Sequence, residues 1–234
     1  LDEQAAPLKA AGLQRLNISL DTLREEVFEQ ITRRQGLDRV LTGIAAAQDA
    51  GFEEIRLNAV AIRGLTEDEI IPLAEFARDR ALELRFIEFM PLDAEHRWSN
   101  DQLLTGADIR RTVEDRWGPL IPALRSNPSQ PAVDFEFADG RGSIGFINPV
   151  SEPFCDTCNR VRLSASGQLH ACLGYDEAMD LAAIVDATVS DLRPLVDLRQ
   201  QHLTGFQDVF CLAVPDMMRD YNTCAVLSPC CRLS

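Results

Sequence analysis

Lysine is almost missing from this chain: of its 23 basic side chains one is Lys9 and the other 22 are arginine. Acidic residues number 37, so the formal charge is −14, which argues against a broad surface for nucleic acid or anionic membrane. Local arginine pockets for a small anion are compatible with that total. No uninterrupted apolar run approaches the roughly 20 residues that cross a bilayer. The opening LDEQAAPLKAAG has neither the basic flank nor the apolar stretch of a secretory signal, and a cytoplasmic location is expected. Cysteine is absent before Cys155, and the seven that follow are odd in number, a poor fit to a disulfide framework. Thiols in a reducing compartment favour metal ligation or burial.

What is present begins with alternation. In RLNISLD, Leu16, Ile18 and Leu20 alternate with Asn17, Ser19 and Asp21, the pattern of a strand after a helix stopped by Gly12. Helices are expected over Thr22 to Arg34 and Leu37 to Ala50, then a strand over about Ile55 to Ile62. Thr66 and Glu69 form the pattern of a capping box for TEDEIIPLAEFARDRA, and ELRFIEFMP is a further strand. Three strand–helix alternations predict βα units around a parallel sheet, open or barrel-like, with ligands at the C-terminal strand ends. Those ends carry Ser19, Asp21, the Arg63-Gly64 turn and Met90.

After Pro91 the pattern changes. DAEHRWSNDQL reads as loop, Gly106 to Trp117 as helix, SNPSQP as a connector, and AVDFEFADGRGSIGFINPV as a hairpin about an Asp-Gly turn. A boundary is expected between about 92 and 125. YDEAMDLAAIV and the stretch near Leu192 to Leu203 carry helical patterns, while Cys211, Cys224, Cys230 and Cys231 follow no ligand spacing and receive no site.

The sharpest motif is FCDTCNRVRLSASGQLHACL, which sets Cys155, Cys158 and Cys172 in a C-x2-C-x13-C spacing. Incidental thiols are one reading. A zinc site completed by His170 is a second. An iron–sulfur cluster on three thiolates, with one iron open to a ligand, is a third. Arg160 and Arg162 would be spectators beside closed zinc, but beside an open iron their planar forks suit an anionic substrate. Spacing by itself leaves zinc and cluster open.

NISLD, VAIRG, RFIEFMP and the cysteine element, over about Gly12 to Leu181, resemble the GTP 3′,8-cyclase family of molybdenum-cofactor biosynthesis, a family of radical S-adenosylmethionine enzymes. That resemblance implies an α/β fold: a partial (βα) barrel of radical SAM type over 1–95, a GTP- and cluster-binding region with a β-hairpin over 96–183, and a divergent tail over 184–234. It implies that Cys155, Cys158 and Cys172 ligate a [4Fe–4S] cluster whose open iron meets the guanine of GTP. Arg160, Val161 and Arg162 match GTP-contacting positions, and Arg56 stands where the family usually has a GTP-contacting lysine. Ser19 and Met90 match positions that contact S-adenosylmethionine, and Arg85 is a further candidate for a phosphate or cofactor contact. No residue is assigned a catalytic role. The C-x3-C-x2-C ligands of the family's second [4Fe–4S] cluster and the Gly-Gly tail do not occur in the chain, which reads as a piece of a longer enzyme. GTP as substrate, a downstream cyclic pyranopterin monophosphate synthase and a second copy of the chain are the expected partners, with no nucleic acid or membrane. A zinc-stabilised α/β module that binds a nucleotide or partner is the alternative expectation.

Overall fold

A computed structural model describes residues 1–92, 98–124, 127, 129–170, 172 and 178–180. The chain divides into two compact units: Leu1–Ser126 with Pro131–Pro153, and Asn127–Gln130 with Phe154–Ser234. The hairpin, expected to accompany the cysteines, pairs with the strand ELRFIE in the first unit.

The first unit alternates α1 (Ala5–Ala10), β1 (Arg15–Ser19), α2 (Glu25–Thr32), α3 (Leu37–Asp49), β2 (Glu54–Ala61), α4 (Ile70–Asp79) and β3 (Glu83–Glu88). It continues with α5 (Gly106–Trp117), β4 (Leu120–Pro122), β5 (Val133–Phe137) and β6 (Ser143–Ile147). The strands form one sheet in the order β1-β2-β3-β6-β5-β4. From β1 to β6 the pairing is parallel, and β5 and β4 extend it antiparallel. The alternating βα pattern and the hairpin are therefore as expected, on a mixed and mostly parallel sheet.

One face of this sheet is apolar and carries the helices. Ile55, Leu57, Ala59 and Ala61 of β2, Leu84 and Phe86 of β3, and Ile144 and Phe146 of β6 are buried against Ile44, Leu73, Ala77, Ile109 and Val113. Period two puts alternate strand residues on this face, and each fully buried Leu or Ile contributes roughly 2 kcal/mol. Arg78 reaches the same core: its guanidinium stacks on Phe137 at 4.1 Å and Trp117 at 5.0 Å and pairs with Asp139 at 2.6 Å. Its charge is thus matched and its stem packed.

Two local expectations change. Helix α2 starts at Glu25 rather than Thr22, because the buried Thr22 turns its Oγ1 to accept the Arg24 N–H at 2.9 Å and holds that segment out of the helix. Thr66 and Glu69 do not form a capping box. Thr66 Oγ1 faces back to the end of β2, accepting from Ile62 N at 2.8 Å and donating to Val60 O at 3.0 Å, while Glu69 is buried against the chain after β1.

Among its described residues the second unit contains a 3₁₀ turn at Cys155–Thr157 and a small antiparallel sheet of β7 (Arg162–Leu163), β8 (Gln168–His170) and β9 (Ala178–Asp180). The helix expected over YDEAMDLAAIV is overturned at Ala178–Asp180, where ladder bonds to β8 outweigh helical periodicity. The other helix, near Leu192 to Leu203, and the last four cysteines lie outside the described residues. Among the described residues no helix is long and apolar enough to cross a membrane.

Candidate functional site

Arg15, Asn17 and Ser19 of β1 share the sheet face opposite the helices with Arg56 and Asn58 of β2, Glu83 and Arg85 of β3, and Asp134 of β5. The register places Ser19, Asn58, Arg85, Gly145 and Asp134 in one row across the sheet. Charges on this face alternate. Arg15 Nε meets Glu54 Oε2 at 3.0 Å, and Glu54 Oε2 meets Arg56 Nη2 at 3.6 Å. Arg56 Nε donates to Glu83 Oε2 at 2.7 Å, Glu83 Oε1 lies 2.5 Å from Arg85 Nη2, and Arg85 Nη2 is 3.6 Å from Asp134 Oδ2. The hydrogen bond from Arg56 to Glu83 raises that guanidinium's pKa, against the opposing effect of burial. Arg56 and Arg85, read from sequence as anion contacts, thus already hold carboxylates. The carboxylates went unread, although the repeated Glu-x-Arg of EIR and ELR marks them: on a strand that spacing puts both charges on one face.

At the C-terminal strand ends two carboxylates, the half-buried Asp21 and the buried Glu69, fix the loops. Asp21 accepts the Val60 N–H at 2.7 Å, and burial pushes its pKa up despite that bond. Glu69, 2% exposed, accepts the Leu23 N–H at 2.8 Å and pairs with Arg24. The segment after Ser19 is thereby tied to β2 and α4. Ser19 itself is exposed and also lines an open cleft of about 610 Å³ with Phe28, Thr32, Arg34 and Arg39. Met90, half-buried, lies just past β3 and does not line that cleft.

Glu88, which ends β3, is a third such carboxylate, missed because RFIEFMP reads as a strand and nothing more. It is 1% exposed and accepts from Gly106 N at 3.1 Å, Val150 N at 3.0 Å, Ser151 N at 2.9 Å and the Ser151 hydroxyl. One side chain therefore holds the start of α5 and the turn after β6.

In the second unit Cys155 opens the 3₁₀ turn and Cys158 closes it, its N–H donating to Cys155 O at 3.1 Å. Cys172 follows β8 by two residues. All three are half-buried and outside any disulfide. Arg160 stacks over Phe154 at 5.0 Å, and its Nε and Nη2 are buried with no hydrogen-bond partner among the described residues. Arg162, exposed on β7, is paired in register with His170.

Among the described residues no three His, Cys, Asp or Glu side chains converge tightly enough to hold a metal ion. In donor chemistry, three thiols outside any disulfide suit an iron–sulfur cluster, and Arg160, two residues past Cys158 in sequence, carries donors that suit an anion.

Two family models match the chain in succession. Residues 1–77 match the Radical SAM superfamily model, and residues 82–205 match the model for Molybdenum Cofactor Synthesis C. A GTP 3′,8-cyclase of Rhodopirellula baltica is 50% identical over 175 residues, 74% of this chain and 49% of that protein. GTP 3′,8-cyclase 2 of Pseudomonas aeruginosa is 45% identical over 193 residues, 82% of this chain and 57% of its own. A GTP 3′,8-cyclase of Paenarthrobacter nicotinovorans is 42% identical over 202 residues, with the same two shares. The chain spans about half the length of the curated relatives it matches.

Proposed function

This chain belongs to the Molybdenum Cofactor Synthesis C family, and from that membership we propose that it works in GTP 3′,8-cyclisation, converting GTP to (8S)-3′,8-cyclo-7,8-dihydroguanosine 5′-triphosphate for molybdopterin synthesis. The observation that carries the reading is Arg160: two buried guanidinium nitrogens without a hydrogen-bond partner among the described residues, two residues beyond the second cysteine of a CxxC. Unmet donors of a permanently charged side chain are expensive to bury, and an anionic substrate resolves them.

In this reading Cys155, Cys158 and Cys172 hold a [4Fe–4S] cluster, and Arg56, Arg160, Val161 and Arg162 contact GTP. Ser19 and Met90 contact S-adenosylmethionine, and the sheet is part of a (βα) barrel. S-adenosylmethionine and the family's second [4Fe–4S] cluster, whose C-x3-C-x2-C ligands do not occur among these residues, would supply the radical chemistry that joins C3′ of GTP to C8 of the base. The chain's own residues do the positioning. The carboxylates of Asp21 and Glu69 hold the loop beyond Ser19, and Glu88 holds the ends of α5 and β6, so the strand ends stay fixed while a substrate is oriented. Orientation of C3′ toward C8, and exclusion of water from both, are what such a scaffold contributes. A cytoplasmic enzyme that hands its product to cyclic pyranopterin monophosphate synthase and pairs with a second copy of itself is consistent with this role.

Anaerobic reconstitution with iron and sulfide tests the proposal. The expected result is a brown protein with one three-cysteine cluster per chain, lost in Cys172→Ala, whose spectrum shifts on adding GTP. A colourless protein holding stoichiometric zinc overturns it.

A further inference from the structure

Glu83 occupies a peculiar place between two arginines. Its Oε2 takes the hydrogen bond from Arg56 Nε at 2.7 Å, and its Oε1 lies 2.5 Å from Arg85 Nη2 without the alignment of a hydrogen bond. Both oxygens are committed, yet Arg85 Nε, on a residue only 9% exposed, is buried with no hydrogen-bond partner among the described residues. With one oxygen turned to each arginine, the flat carboxylate makes a bidentate pair with neither. A tetrahedral phosphoryl group with three oxygens can present a two-oxygen edge to each.

The surroundings are built for this arginine. Gly145 sits between Arg85 and Asp134 in the register row, and a Cβ there would overlap Asp134 Oδ1 and stand 3.1 Å from Arg85 Cγ. Glycine therefore lets the Arg85 side chain lie across the β6 backbone. The ladder Arg15, Glu54, Arg56, Glu83, Arg85, Asp134 alternates in sign and sums to zero, so an arriving anion finds each guanidinium already matched.

We infer that Glu83 is a built-in competitor for an anionic ligand of this face: its carboxylate holds Arg56 and Arg85 where a phosphoryl group binds, and binding exchanges one for the other. The inference rests on the reading of Arg56 as a nucleotide contact, and it adds a residue that opposes binding. Without Glu83 the two guanidinia would repel each other across neighbouring strands. With it the empty face is balanced, and every bound phosphate must displace an internal rival. Affinity is lowered, and release is correspondingly eased.

The shared ligand chemistry is a polyphosphate, either free or carried on a nucleoside. Calorimetric titration of the full, anaerobically reconstituted chain with tripolyphosphate and with GTP separates the two. Glu83→Gln keeps the shape and removes the charge, and is expected to bind tripolyphosphate about tenfold tighter. Arg85→Ala is expected to lose that gain. A merely structural role for Glu83 predicts the opposite direction, since loosened arginines bind less well. Equal or weaker binding by a folded Glu83→Gln variant overturns the inference. Should that variant not fold, Asp134→Asn relieves the far end of the same pair and is expected to tighten binding about threefold; no gain there overturns it equally. If GTP binds the parent chain and its affinity is unchanged in Glu83→Gln, the competitor falls while the nucleotide reading stands. If tripolyphosphate tightens as expected but GTP binds neither protein, the competitor stands and the nucleotide reading falls.

Discussion

Gly106 and Asn148 are packed so closely that a methyl group cannot come between them: a Cβ at position 106 would overlap the Asn148 amide, 2.7 Å from its Cγ. The amide cannot simply swing aside, because Asn148 is 8% exposed and its Nδ2 donates to Glu152 Oε2 at 3.0 Å. Gly106→Ala sets helix propensity against packing. Alanine favours a helix interior by about 1 kcal/mol, while overpacking costs roughly 1–3 kcal/mol. Packing should win at this first position of α5, where propensity counts least, giving a net loss of about 1–2 kcal/mol in urea unfolding.

Glu88 should be among the most sensitive side chains in the first unit. Gln at this site would turn an NH₂ group toward backbone N–H groups of Val150, Ser151 or Gly106. Leaving such donors unmet in the interior costs about 2–4 kcal/mol. Glu75→Gln, on the exposed side of α4, should change stability by less than about 0.5 kcal/mol in the same assay.

Two aspartates should bend the pH dependence of stability in opposite directions. Asp21 has its pKa raised by burial, so ionising it disfavours the folded state. Its contribution is fully present below the ordinary value of 3.8 and is lost as pH rises through the raised native value. Asp21→Asn keeps an oxygen for the Val60 N–H and should lift the unfolding midpoint at neutral pH relative to acid. Asp139 has its pKa lowered, chiefly by the hydrogen bond from Arg78. Its contribution is present above 3.8 and is lost as pH falls through the lowered native value, so Asp139→Asn should flatten the acid limb.

Arg160 and Arg162 should separate under mutation although both belong to the same motif. Arg160 has two buried unmatched nitrogens, whereas Arg162 is exposed on β7. Arg160→Ala should weaken GTP binding about tenfold or more, as expected for a desolvated charge contact, with iron content unchanged. Arg162→Ala should do less. Equal effects, read by GTP titration and iron assay together, would remove the distinction.

Much of the scaffold was legible because periodicity reports burial directly. Helix α5 has the expected bounds, Gly106 to Trp117, and β1, β2 and the hairpin stand within a residue or two of expectation. Where a hydroxyl bonds backbone outside the helix the reading failed. Thr22 and Thr66 look like ordinary helix-starting residues, and nothing in their neighbours says that Thr22 accepts from the N–H two residues ahead or that Thr66 turns back to the end of β2. Strand β9 was lost for a different reason: three residues are held by a ladder to β8, and a ladder partner is a non-local fact. For the candidate site, the residue types in FCDTCNRVRL were legible and the pairing of Arg56 and Arg85 with Glu83 was not. Which carboxylate meets which arginine depends on the β2–β3 register.

That register has a use of its own. In the native pairing Arg56 stands opposite Glu83. Slide β3 by one residue and Glu83 and Arg85 turn under the helices while Leu84 and Phe86 face outward. Slide it by two and Arg56 stands opposite Arg85, like charge against like. Either misalignment is penalised at once, so the row of alternating charges acts as a vernier. It lets parallel strands that meet only after a long crossover find the right notch.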